Sequence, residues 1–462
     1  MFRIFDQYVS RKTVFVVVGD ALSIVGSIIL AYKIRFWDDA ESFAFFTQQP
    51  DLTLRSLTIL AVFQVCAYYN ELYRAQDQLS ASDQFFRLTQ ATGVGCFFLA
   101  AIYYAAPQLS IGRSVFAMTL IFLLASTTSL RWLADLAWRT ALPKRAVLIL
   151  GTDDVARSLA EEITLRADLN MHLVGFVSDS KPAHLLGDYL GNAYSIEDLV
   201  REHAVQTVLV SDNVFSGKLP LDALLKLRTR GVRVEDANAA LAAFTGKISI
   251  ETVQSPWFVF STGFSRSGYA MAFKRLTDLS LSTIGLIVSL PIMLLVAAAV
   301  RLTSPGPALF RQTRVGLNGH LFEVLKFRTM REDAEVDGVA RWAQEDDPRI
   351  TPVGKFLRVY RLDELPQFIN VIRGHMSFIG PRPERPEFVS QILEVEPLYG
   401  ERHTLRPGLT GWAQVCYPYG SNLEDSIRKL EYDLFYLKNV SFLFDMAIIF
   451  QTVKIVLWGR GR

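Results

Sequence analysis

The sequence predicts a membrane protein with an N-terminal four-helix transmembrane bundle, a central α/β domain and a C-terminal α/β-type domain that contains a re-entrant membrane helix. Three observations predict this fold class. Half of the 462 residues are hydrophobic and the mean hydropathy is +0.23, which is high for a soluble protein. Four long apolar stretches fill the first 140 residues, and strand-like and helix-like patterns alternate after them. A fifth apolar stretch, with a proline inside it, precedes the last third of the chain.

Composition and charge exclude several kinds of site. The net charge of +2 is too small to name a partner, and no nucleic acid partner is predicted. The three cysteines, Cys66, Cys96 and Cys416, are too scattered for a CxxC site or a disulfide framework. The six histidines form no pair at ligand spacing, so the sequence predicts no zinc site. No small-residue cleavage site follows the first apolar run, so we interpret it as a retained span and not as a signal peptide.

The first domain, residues 1–140, is predicted to hold four membrane spans. A membrane-spanning helix needs ~20 apolar residues, and each apolar stretch is near that length. The stretches run over residues 13–34, 52–70, 90–107 and 114–133. Four core helices of a soluble bundle are the alternative. Asp20 and Arg55 lie inside the stretches, where a charge is costly, so we expect them to face the bundle interior or to lie near an interface.

Loop charges predict the orientation of these spans. Basic residues precede the first stretch and follow the fourth, whereas acidic residues fill the loop after the first stretch. The basic residues are Arg3, Arg11, Lys12, Arg139, Lys144 and Arg145, and the acidic residues are Asp38, Asp39, Glu41 and Asp51. Because basic flanks stay in the cytoplasm, the N-terminus and everything after residue 140 are predicted to be cytoplasmic.

The second domain, residues 141–250, is predicted to be a degenerate Rossmann-like α/β domain. Strand-like runs alternate with helical patterns, which predicts a parallel sheet. The runs are Ala146–Leu150, Leu173–Val177, Thr207–Val210 and Val232–Glu235, and the first helix is predicted over 154–165. The turn Gly151–Ala156 lacks the middle glycine of GxGxxG because Asp153 stands there, and its carboxylate would repel a pyrophosphate. A structural or regulatory role is therefore favoured over nucleotide binding.

Two further apolar segments follow a predicted linker over residues 251–273. Residues 276–300 contain Pro291, and a straight helix of this length could cross a bilayer. One more crossing would place the arginine-rich remainder of the chain outside, and proline kinks a helix, so we predict that the segment turns near Pro291 and leaves the membrane on the side it entered. An ordinary fifth span is the alternative. The closing segment, residues 442–458, is either a membrane-surface helix or a core helix.

Two adjacent carboxylates mark the candidate site of the last domain, residues 274–462. Asp363 and Glu364 lie off an apolar stripe at helical spacing, which is formed by Leu362, Leu365, Ile369 and Ile372. Pro366 is tolerated only in a first turn, so the helix is predicted to start near Asp363. A carboxylate can attack phosphorus, and Mg²⁺ takes one or two carboxylates together with phosphate oxygens. Taken alone, such a pair is more often only a helix cap.

Basic residues in three other places suit a phosphate substrate. Lys326 and Arg328 follow a strand-like run and alternate with apolar residues, which would aim both cations to one side of a strand. Arg382 stands between two prolines, which reduce the entropy lost in holding its guanidinium. Arg406 stands beside a second turn, which contains Pro and Gly. Arginine suits bidentate contacts with phosphate, although each of these pieces alone is more often structural.

From Lys274 to its end the chain closely resembles the bacterial sugar transferases, the polyprenyl-phosphate hexose-1-phosphate transferases. Six ordered motifs carry the resemblance. They are Phe273-Lys274-Arg275 with Asp278, Pro291, Lys326–Met330, Leu362–Gln367, Met376–Pro383 and Arg406–Gln414. The four spans and the degenerate α/β domain resemble, by their arrangement, the long members of the family that act in exopolysaccharide biosynthesis.

The resemblance implies that a hexose-1-phosphate moves from a UDP-sugar to undecaprenyl phosphate, with release of UMP, as the step that initiates an exopolysaccharide. Asp363 would be the nucleophile and would form an aspartyl phospho-sugar intermediate. Glu364 would bind Mg²⁺ or assist the attack, with Asp363 as a second candidate metal ligand. Phosphate contacts are implied for Lys326, Arg382 and Arg406, while the strand pattern adds Arg328 and proximity adds Arg361.

The resemblance also implies a location and partners. A re-entrant helix over residues 276–300 is a feature of the family and agrees with the argument from orientation. Small members have Ser-Pro at the break, whereas here Leu290 precedes Pro291, so the serine hydroxyl that could satisfy a freed carbonyl is absent. The protein is expected to be a multi-pass protein of the bacterial inner membrane with its catalytic domain facing the cytoplasm. Glucose or galactose is the sugar expected from the family, and the front half offers enough surface for a homodimer.

Two other functions stay open on the sequence alone. A membrane-bound nucleotide-sugar dehydratase or epimerase would also join four spans to a Rossmann unit, but it needs an intact glycine fingerprint followed by a Tyr-x3-Lys pair. The one such pair, Tyr8 with Lys12, precedes any candidate domain. A non-catalytic membrane regulator would be unaffected by a change at Asp363. Because all the motifs lie downstream, deletion of residues 1–270 is expected to leave some activity.

Overall fold

A computed structural model gives the fold of the chain as two compact units. The first is formed by Met1–Ile4 with Tyr8–Ala240, and the second by Phe5–Gln7 with Leu241–Arg462. The structure describes all residues except 1, 5–6, 10, 40, 42, 45–50, 74–80, 141–143, 167–168, 179–186, 212–219, 252–262, 265–266, 332–346, 418–421 and 458–462. Much of the predicted linker and the last residue of the predicted closing segment therefore lie outside the described residues.

Two short strands precede the four long helices of the first unit. The strands are β1 (Phe2–Ile4) and β2 (Gln7–Val9), and the helices are α1 (Arg11–Arg35), α2 (Asp51–Tyr69), α3 (Ala81–Ala105) and α4 (Arg113–Thr140). Apolar side chains from all four helices pack into one core, which includes Ile28, Ile59, Leu99 and Leu123. The helices therefore follow the four predicted apolar stretches.

The two charges predicted inside the helices have different surroundings. Asp20 is buried in the core and forms an ion pair with Arg131, which also donates to the Leu72 carbonyl oxygen at 3.0 Å. The prediction that Asp20 faces the interior is therefore confirmed. Arg55 lies near the start of α2 and donates to the Gln108 carbonyl oxygen at 3.0 Å.

A parallel five-stranded sheet forms the rest of the first unit. Its strands are β3 (Arg145–Leu150), β4 (Met171–Val177), β5 (Tyr189–Gly191), β6 (Thr207–Val210) and β7 (Arg233–Asp236), and its helices are α5 (Asp154–Leu165), α6 (Ile196–Glu202), α7 (Leu221–Thr229) and α8 (Ala237–Thr245). The strand order is β5-β4-β3-β6-β7, with every neighbouring pair parallel. This order corresponds to five strands of the Rossmann arrangement.

The turn after β3 shows what stands in place of the missing glycine. The Asp153 carboxylate accepts a hydrogen bond from the Ala156 amide at 3.0 Å, which caps α5, and another from the Ser211 hydroxyl. Ser211 directly follows β6, so the pair lies between the carboxyl ends of β3 and β6, where this kind of sheet binds ligands. The carboxylate accepts the hydrogen bond from a helix amide that would otherwise be available to a phosphate. This contact supports a structural role for Asp153.

The second unit combines one very long helix with small sheets and shorter helices. Its elements are α9 (Gly268–Thr303), β8 (Leu309–Val315), β9 (Leu321–Phe327), α10 (Pro352–Val359), α11 (Gln367–Ile372), β10 (Ser377–Ile379), α12 (Pro386–Val395), β11 (Gly408–Thr410), α13 (Trp412–Cys416), α14 (Leu423–Lys438) and α15 (Phe442–Leu457). Strands β8 and β9 form an antiparallel pair. Strands β10 and β11 pair in parallel, with Ser377 opposite Gly408 and Ile379 opposite Thr410.

Five helices of the described residues are long and apolar enough to cross a membrane. They are Lys12–Arg35, Asp51–Tyr69, Asp83–Ala105, Arg113–Trp138 and Gly268–Thr303. The last of these, α9, is helical over all of its 36 residues, including Pro291. Apolar side chains in its middle are exposed, with Ile287 at 67% and Leu295 at 72%. The chain is a membrane protein with α/β domains.

Polar side chains at the base of α9 attach this helix to the rest of the second unit. Lys274, Arg275 and Asp278 lie within two helical turns of each other. Their partners are, in order, the Asp445 carboxylate at 2.7 Å, the carbonyl oxygens of Val371 and Ile372 at 2.8 and 3.1 Å, and the Ser377 hydroxyl at 2.7 Å. The motif at the start of this helix therefore fixes the helix to α11, β10 and α15.

The core of the second unit includes the segment that follows α8. Ile248 is buried in this core. The Trp412 indole N–H donates to the Gly246 carbonyl oxygen at 2.7 Å, and the Lys247 ammonium lies 2.7 Å from the Glu431 carboxylate. Residues just before 250, which the sequence assigns to the α/β domain, thus pack with the C-terminal motifs.

The closing helix α15 has one buried face and one exposed face. Phe444 and Ile448 are buried in the core, whereas Leu443 and Phe450 are 64% and 50% exposed. The core-helix interpretation is therefore correct for the inner face. The outer face exposes apolar side chains, among them Leu443.

Candidate active site

The carboxylate pair lies in a short 3₁₀ turn, Leu362–Glu364. The predicted α-helix start near Asp363 was wrong, because α11 begins only at Gln367. The physical reason is Pro366, which has no N–H to close an α-helical hydrogen bond, so the chain before it forms a tighter turn. The apolar stripe on which the prediction rested is divided between this 3₁₀ turn and α11.

The residue before the turn has an unusual backbone. Arg361 has a φ of 53° and a ψ of 25°, which is the left-handed region. This conformation costs a non-glycine residue ~1–2 kcal/mol. Strain of this kind clusters at functional sites, where the surrounding structure holds it. The left-handed residue turns the chain sharply between α10 and the carboxylates.

Three cations converge on the Glu364 carboxylate. Arg382 donates to Oε1 at 2.6 Å, the Lys326 ammonium lies 3.6 Å from the same oxygen, and an Arg361 guanidinium nitrogen lies 3.6 Å from Oε2. Burial by itself would raise the pKa of Glu364, but the charges of Arg382, Lys326 and Arg361 outweigh it and hold that pKa well below its usual range. Glu364 is therefore ionised at neutral pH and neutralised by its partners.

Asp363 is equally buried but is surrounded differently. Its side chain is 8% exposed, and within the described part of the chain no side chain donates a hydrogen bond to its carboxylate. Burial raises the pKa of Asp363 to about 6, and the negative charge of Glu364 adds to the rise. At pH 7 the carboxylate is therefore mostly ionised, yet it is poorly stabilised. A charged oxygen in this condition is suited to nucleophilic attack.

Lys326 is brought to the pair by β9. The strand ends at Phe327, and the Lys326 side chain is 21% exposed. Burial lowers the pKa of Lys326 to about 8, although the Glu364 carboxylate acts in the opposite direction. The ammonium is therefore mostly protonated at pH 7 and titrates not far above it.

Close backbone packing joins the two motifs that are rich in glycine and proline. The Gly380 amide donates to the Thr410 carbonyl oxygen at 2.9 Å. A Cβ atom on Gly380 would lie 2.4 Å from the Arg406 carbonyl oxygen, and one on Gly411 would lie 2.2 Å from the Gly380 carbonyl oxygen. Only glycine fits at these two positions. The paired strands β10 and β11 thereby fix the backbone that leads to Arg382.

Two of the predicted phosphate contacts have other partners. Arg328 donates to the carbonyl and hydroxyl oxygens of Ser304 at 2.9 and 2.8 Å, at the end of α9. Arg406 donates from Nε to the Gly374 carbonyl oxygen at 3.0 Å, just after α11. Neither is an ion-pair partner of Glu364 among the residues that the structure describes. Their assignment to substrate phosphate stays a prediction.

Arg358 is a candidate that the sequence reasoning missed. It lies in the last turn of α10, donates to the Thr329 hydroxyl at 2.9 Å, and its positive charge acts against the rise in the Asp363 pKa. An available signal was proximity in the sequence, since Arg358 stands only three positions before Arg361 and near the carboxylate pair.

A Mg²⁺ site is predicted at the carboxylate pair. Within the described residues, no group of three or more His, Cys, Asp or Glu side chains could hold a metal ion. The pair nevertheless fits Mg²⁺, which is commonly held by one or two carboxylates together with substrate phosphates. Because cations already surround Glu364, Asp363 and Glu364 would hold this ion only together with anionic oxygens of the substrate.

Two family profiles match the chain. The profile of the bacterial sugar transferase family matches residues 269–459. The profile of a CoA-binding domain matches residues 69–234, which include membrane-length helices and most of the parallel sheet. The candidate active site lies wholly within the first of these matches.

Relatives support the same family. A UDP-glucose:undecaprenyl-phosphate glucose-1-phosphate transferase of Escherichia coli (strain K12) is 31% identical over 415 residues, or 87% of each chain. A UDP-N-acetylgalactosamine-undecaprenyl-phosphate N-acetylgalactosaminephosphotransferase of Aeromonas hydrophila is 45% identical over 188 residues, 41% of this chain and 44% of the relative. An exopolysaccharide production protein of Rhizobium leguminosarum bv. phaseoli is 42% identical over 198 residues, 42% of this chain and 98% of the relative. The chain therefore belongs to the bacterial sugar transferase family, which confirms the family and the transferase class predicted from its motifs.

Proposed function

We propose that the chain transfers a hexose-1-phosphate from a UDP-sugar to undecaprenyl phosphate and releases UMP, as the first step of exopolysaccharide assembly. The observation that carries the proposal is the difference in electrostatic surroundings between two adjacent buried carboxylates. Glu364 is neutralised by Lys326, Arg361 and Arg382, whereas Asp363 has a pKa raised to about 6. Such a site holds a phosphate beside a carboxylate that is free to attack it.

In the first half-reaction, an Asp363 carboxylate oxygen attacks the phosphorus that carries the sugar. The bond between this phosphorus and the bridging oxygen breaks, and its electron pair leaves with UMP. A phospho-sugar remains on Asp363. Arg382 and Lys326 bind the phosphoryl oxygens, where negative charge is concentrated, and the site needs no general base because the attacking group is already ionised.

In the second half-reaction, an oxygen of undecaprenyl phosphate attacks the same phosphorus. The bond from phosphorus to the Asp363 oxygen breaks, which regenerates the carboxylate and yields undecaprenyl-diphosphate-sugar. The phosphate of the lipid takes the place that UMP leaves, so the same cations serve both halves. Mg²⁺, held by Asp363 and Glu364 with substrate oxygens, would supply charge neutralisation at the phosphates.

The membrane arrangement is part of the proposal. The four helices α1 to α4 cross the bacterial inner membrane, the chain after α4 lies in the cytoplasm, and α9 enters the membrane and returns to the same side by a bend at Pro291. The outer apolar face of α15 lies on the membrane surface. The support is the charge of the loops, the exposed apolar middle of α9, and the need of the site to meet a cytoplasmic sugar nucleotide.

The test measures nucleotide release by the purified protein with Mg²⁺, undecaprenyl phosphate and a panel of UDP-sugars. We expect lipid-dependent UMP release from one sugar. Asp363→Asn should lower the rate by more than ~10³-fold, because an amide cannot form the covalent intermediate. Glu424→Gln is the matched control, since this carboxylate of α14 is 72% exposed and should be dispensable.

Each other outcome would contradict the proposal in a different way. Release of UDP would mean ordinary glycosyl transfer without a phosphoryl step. UMP release that survives Asp363→Asn would remove the aspartyl intermediate. No release with any sugar would favour the membrane regulator, and oxidation or epimerisation of the sugar would favour the dehydratase or epimerase class.

A further inference from the structure

The turn that presents Arg382 is held by its carbonyl groups. Prolines 381 and 383 have no N–H, so the carbonyl oxygens are the main hydrogen-bonding groups that this piece of backbone offers. All four consecutive carbonyl oxygens from Pro381 to Glu384 are bound. The donors are, in order, the Gly408 amide at 2.8 Å, the Arg402 guanidinium at 2.8 Å, the Arg314 guanidinium at 3.1 Å and the Val315 amide at 3.0 Å.

Arg402 is the donor that takes the carbonyl oxygen of Arg382 itself. Its side chain is only 5% exposed, so its guanidinium is buried and closed to solvent. Its guanidinium lies 2.8 Å from the Asp433 carboxylate of α14, which is 1% exposed, and also donates to the Tyr399 hydroxyl. The same guanidinium lies 4.7 Å from the Tyr399 ring centroid. These contacts hold the Arg402 guanidinium in place independently of its hydrogen bond to the turn.

We propose that Arg402 is a positioning residue for phosphoryl transfer, which it serves by holding the backbone of Arg382 so that the Arg382 guanidinium meets Glu364 and the substrate phosphate. The inference rests on the function proposed above. It differs from a contact with substrate, because the Arg402 guanidinium is buried among protein groups.

The physical reason is the sensitivity of transfer to small displacements. Arg382 donates to Glu364 at 2.6 Å and its side chain is 37% exposed, so the position of its guanidinium depends on the backbone that carries it. Without Arg402, the Arg382 carbonyl oxygen loses its donor and the turn can relax. A shift of about 1 Å at a group that binds the reacting phosphate can cost ~10²-fold in rate.

The test is a double-mutant cycle on lipid-dependent UMP release in the full chain, with wild type, Arg382→Ala, Arg402→Met and the double variant. We expect Arg402→Met to lower kcat by ~10- to 100-fold and to change the KM for the UDP-sugar by less than ~3-fold. In the Arg382→Ala background the same change should cost less than ~3-fold, because the group that it positions is already gone. Arg428→Met, which breaks an exposed ion pair of α14, is the matched control and should leave kcat unchanged.

Equal losses of kcat in both backgrounds would overturn the inference, because a general structural role does not depend on Arg382. Should Arg402→Met fail to accumulate, Arg402→Lys replaces it in the same cycle, since lysine keeps a cation opposite Asp433 but lacks the fork that reaches two partners. Wild-type kcat in Arg402→Lys would then also overturn it. Absence of UMP release by the wild type is a separate result, because it rejects the proposed function first.

Discussion

Two neighbouring carboxylates with unlike electrostatics define the site at the scale of single residues. Glu364 has a lowered pKa because of the cations around it, and Asp363 has a raised pKa because of burial and of Glu364. In the proposed mechanism, Glu364 organises the cations and Asp363 attacks the phosphorus. Lys326 completes the set, because its lowered pKa makes its charge dependent on pH near neutrality.

A bell-shaped pH profile is expected for kcat/KM of the UDP-sugar, which reports ionisations of the free enzyme in the first half-reaction. Activity should be lost as pH falls through about 6, where Asp363 becomes protonated, and as pH rises through about 8, where Lys326 loses its proton. Glu364→Gln should move both limbs to lower pH, because the negative charge of Glu364 raises both pKa values. Lys326→Arg should abolish the basic limb alone.

Steady-state rates over a pH series check this expectation in the wild type and the two variants. A Glu364→Gln profile with both limbs in their original places would contradict the assignment. So would a basic limb that persists in Lys326→Arg, since arginine does not titrate near neutral pH.

The sequence predicted residues well where their own neighbours restrict them. Asp363 with Glu364 and Arg382 between its prolines were found because adjacency and rigid flanks are local properties. Arg358 was missed, because a lone arginine on a helix is usually solvated. The partner of Arg406 could not be predicted either, since a guanidinium binds whichever acceptor the fold places beside it, and here that is the Gly374 carbonyl oxygen.

At the scale of elements, the attachment of α9 is the feature that matters most. Lys274 and Asp445 form a buried ion pair with side chains 8% and 7% exposed, and Tyr436 donates to the other Asp445 oxygen at 2.7 Å. Arg275 donates to the last two carbonyl groups of α11, the helix that follows the turn with the carboxylate pair. The membrane-length helix is therefore attached directly to the helix that follows the candidate site.

Lys274→Met should destabilise the protein by ~3–5 kcal/mol, because it leaves the Asp445 carboxylate buried without its cation. Lys274→Met combined with Asp445→Asn should recover most of that loss, since the uncompensated charge is removed and the Tyr436 hydrogen bond can remain. Thermal unfolding of the proteins in detergent gives the comparison. A double variant as unstable as the single one would show that packing, and not the charge, is lost at this position.

Apolar periodicity predicted the elements that are regular and locally amphipathic. The helix predicted over 154–165 coincides with α5, and the strand predicted over Thr207–Val210 coincides with β6. By contrast, α3 begins at Ala81, well before residue 90, because polar residues such as Asp83 and Arg87 form its first turns and give no apolar signal. The pairing of β10 with β11 was not predicted, since it joins segments that are distant in sequence.

The boundary between the two compact units follows Ala240. The sequence predicts the end of the α/β domain later, at residue 250. The segment after α8 supplies Gly246, whose carbonyl oxygen accepts the Trp412 indole N–H, and Ile248, which is buried. The family match begins at residue 269 and so does not include this segment. The packing nevertheless makes it part of the unit that holds the candidate active site.

Two truncations follow from this packing. Deletion of residues 1–240 should leave lipid-dependent UMP release, because the second unit keeps its whole core. Deletion of residues 1–270 should lower stability and activity, since an unpaired buried Trp412 N–H costs ~1–3 kcal/mol and the lost burial of Ile248 costs ~1.5–3 kcal/mol. The motifs alone predict that deletion of residues 1–270 leaves some activity, and the packing adds that this activity should be lower than after deletion of residues 1–240.

Both truncations are inserted into vesicles, and their rates of UMP release and their thermal unfolding are compared. The comparison shows whether the segment after α8 is needed for stability and activity. Equal stability of the two would show that the segment after α8 is dispensable. Loss of all activity in the shorter deletion, with the protein folded, would show that the first unit contributes to catalysis.

The contact between Arg328 and Ser304 has a consequence for the surrounding lipid. Ser304 directly follows α9, and the ammonium of Lys326, two residues before Arg328, lies 3.6 Å from the Glu364 carboxylate. A helix whose apolar length does not match the hydrocarbon core of its bilayer tilts or shifts in depth. Because Arg328 ties the end of α9 to the strand that carries Lys326, such a shift is passed to the cations of the site. We therefore expect acyl-chain length to influence the rate of sugar-phosphate transfer without any contact between those chains and a substrate.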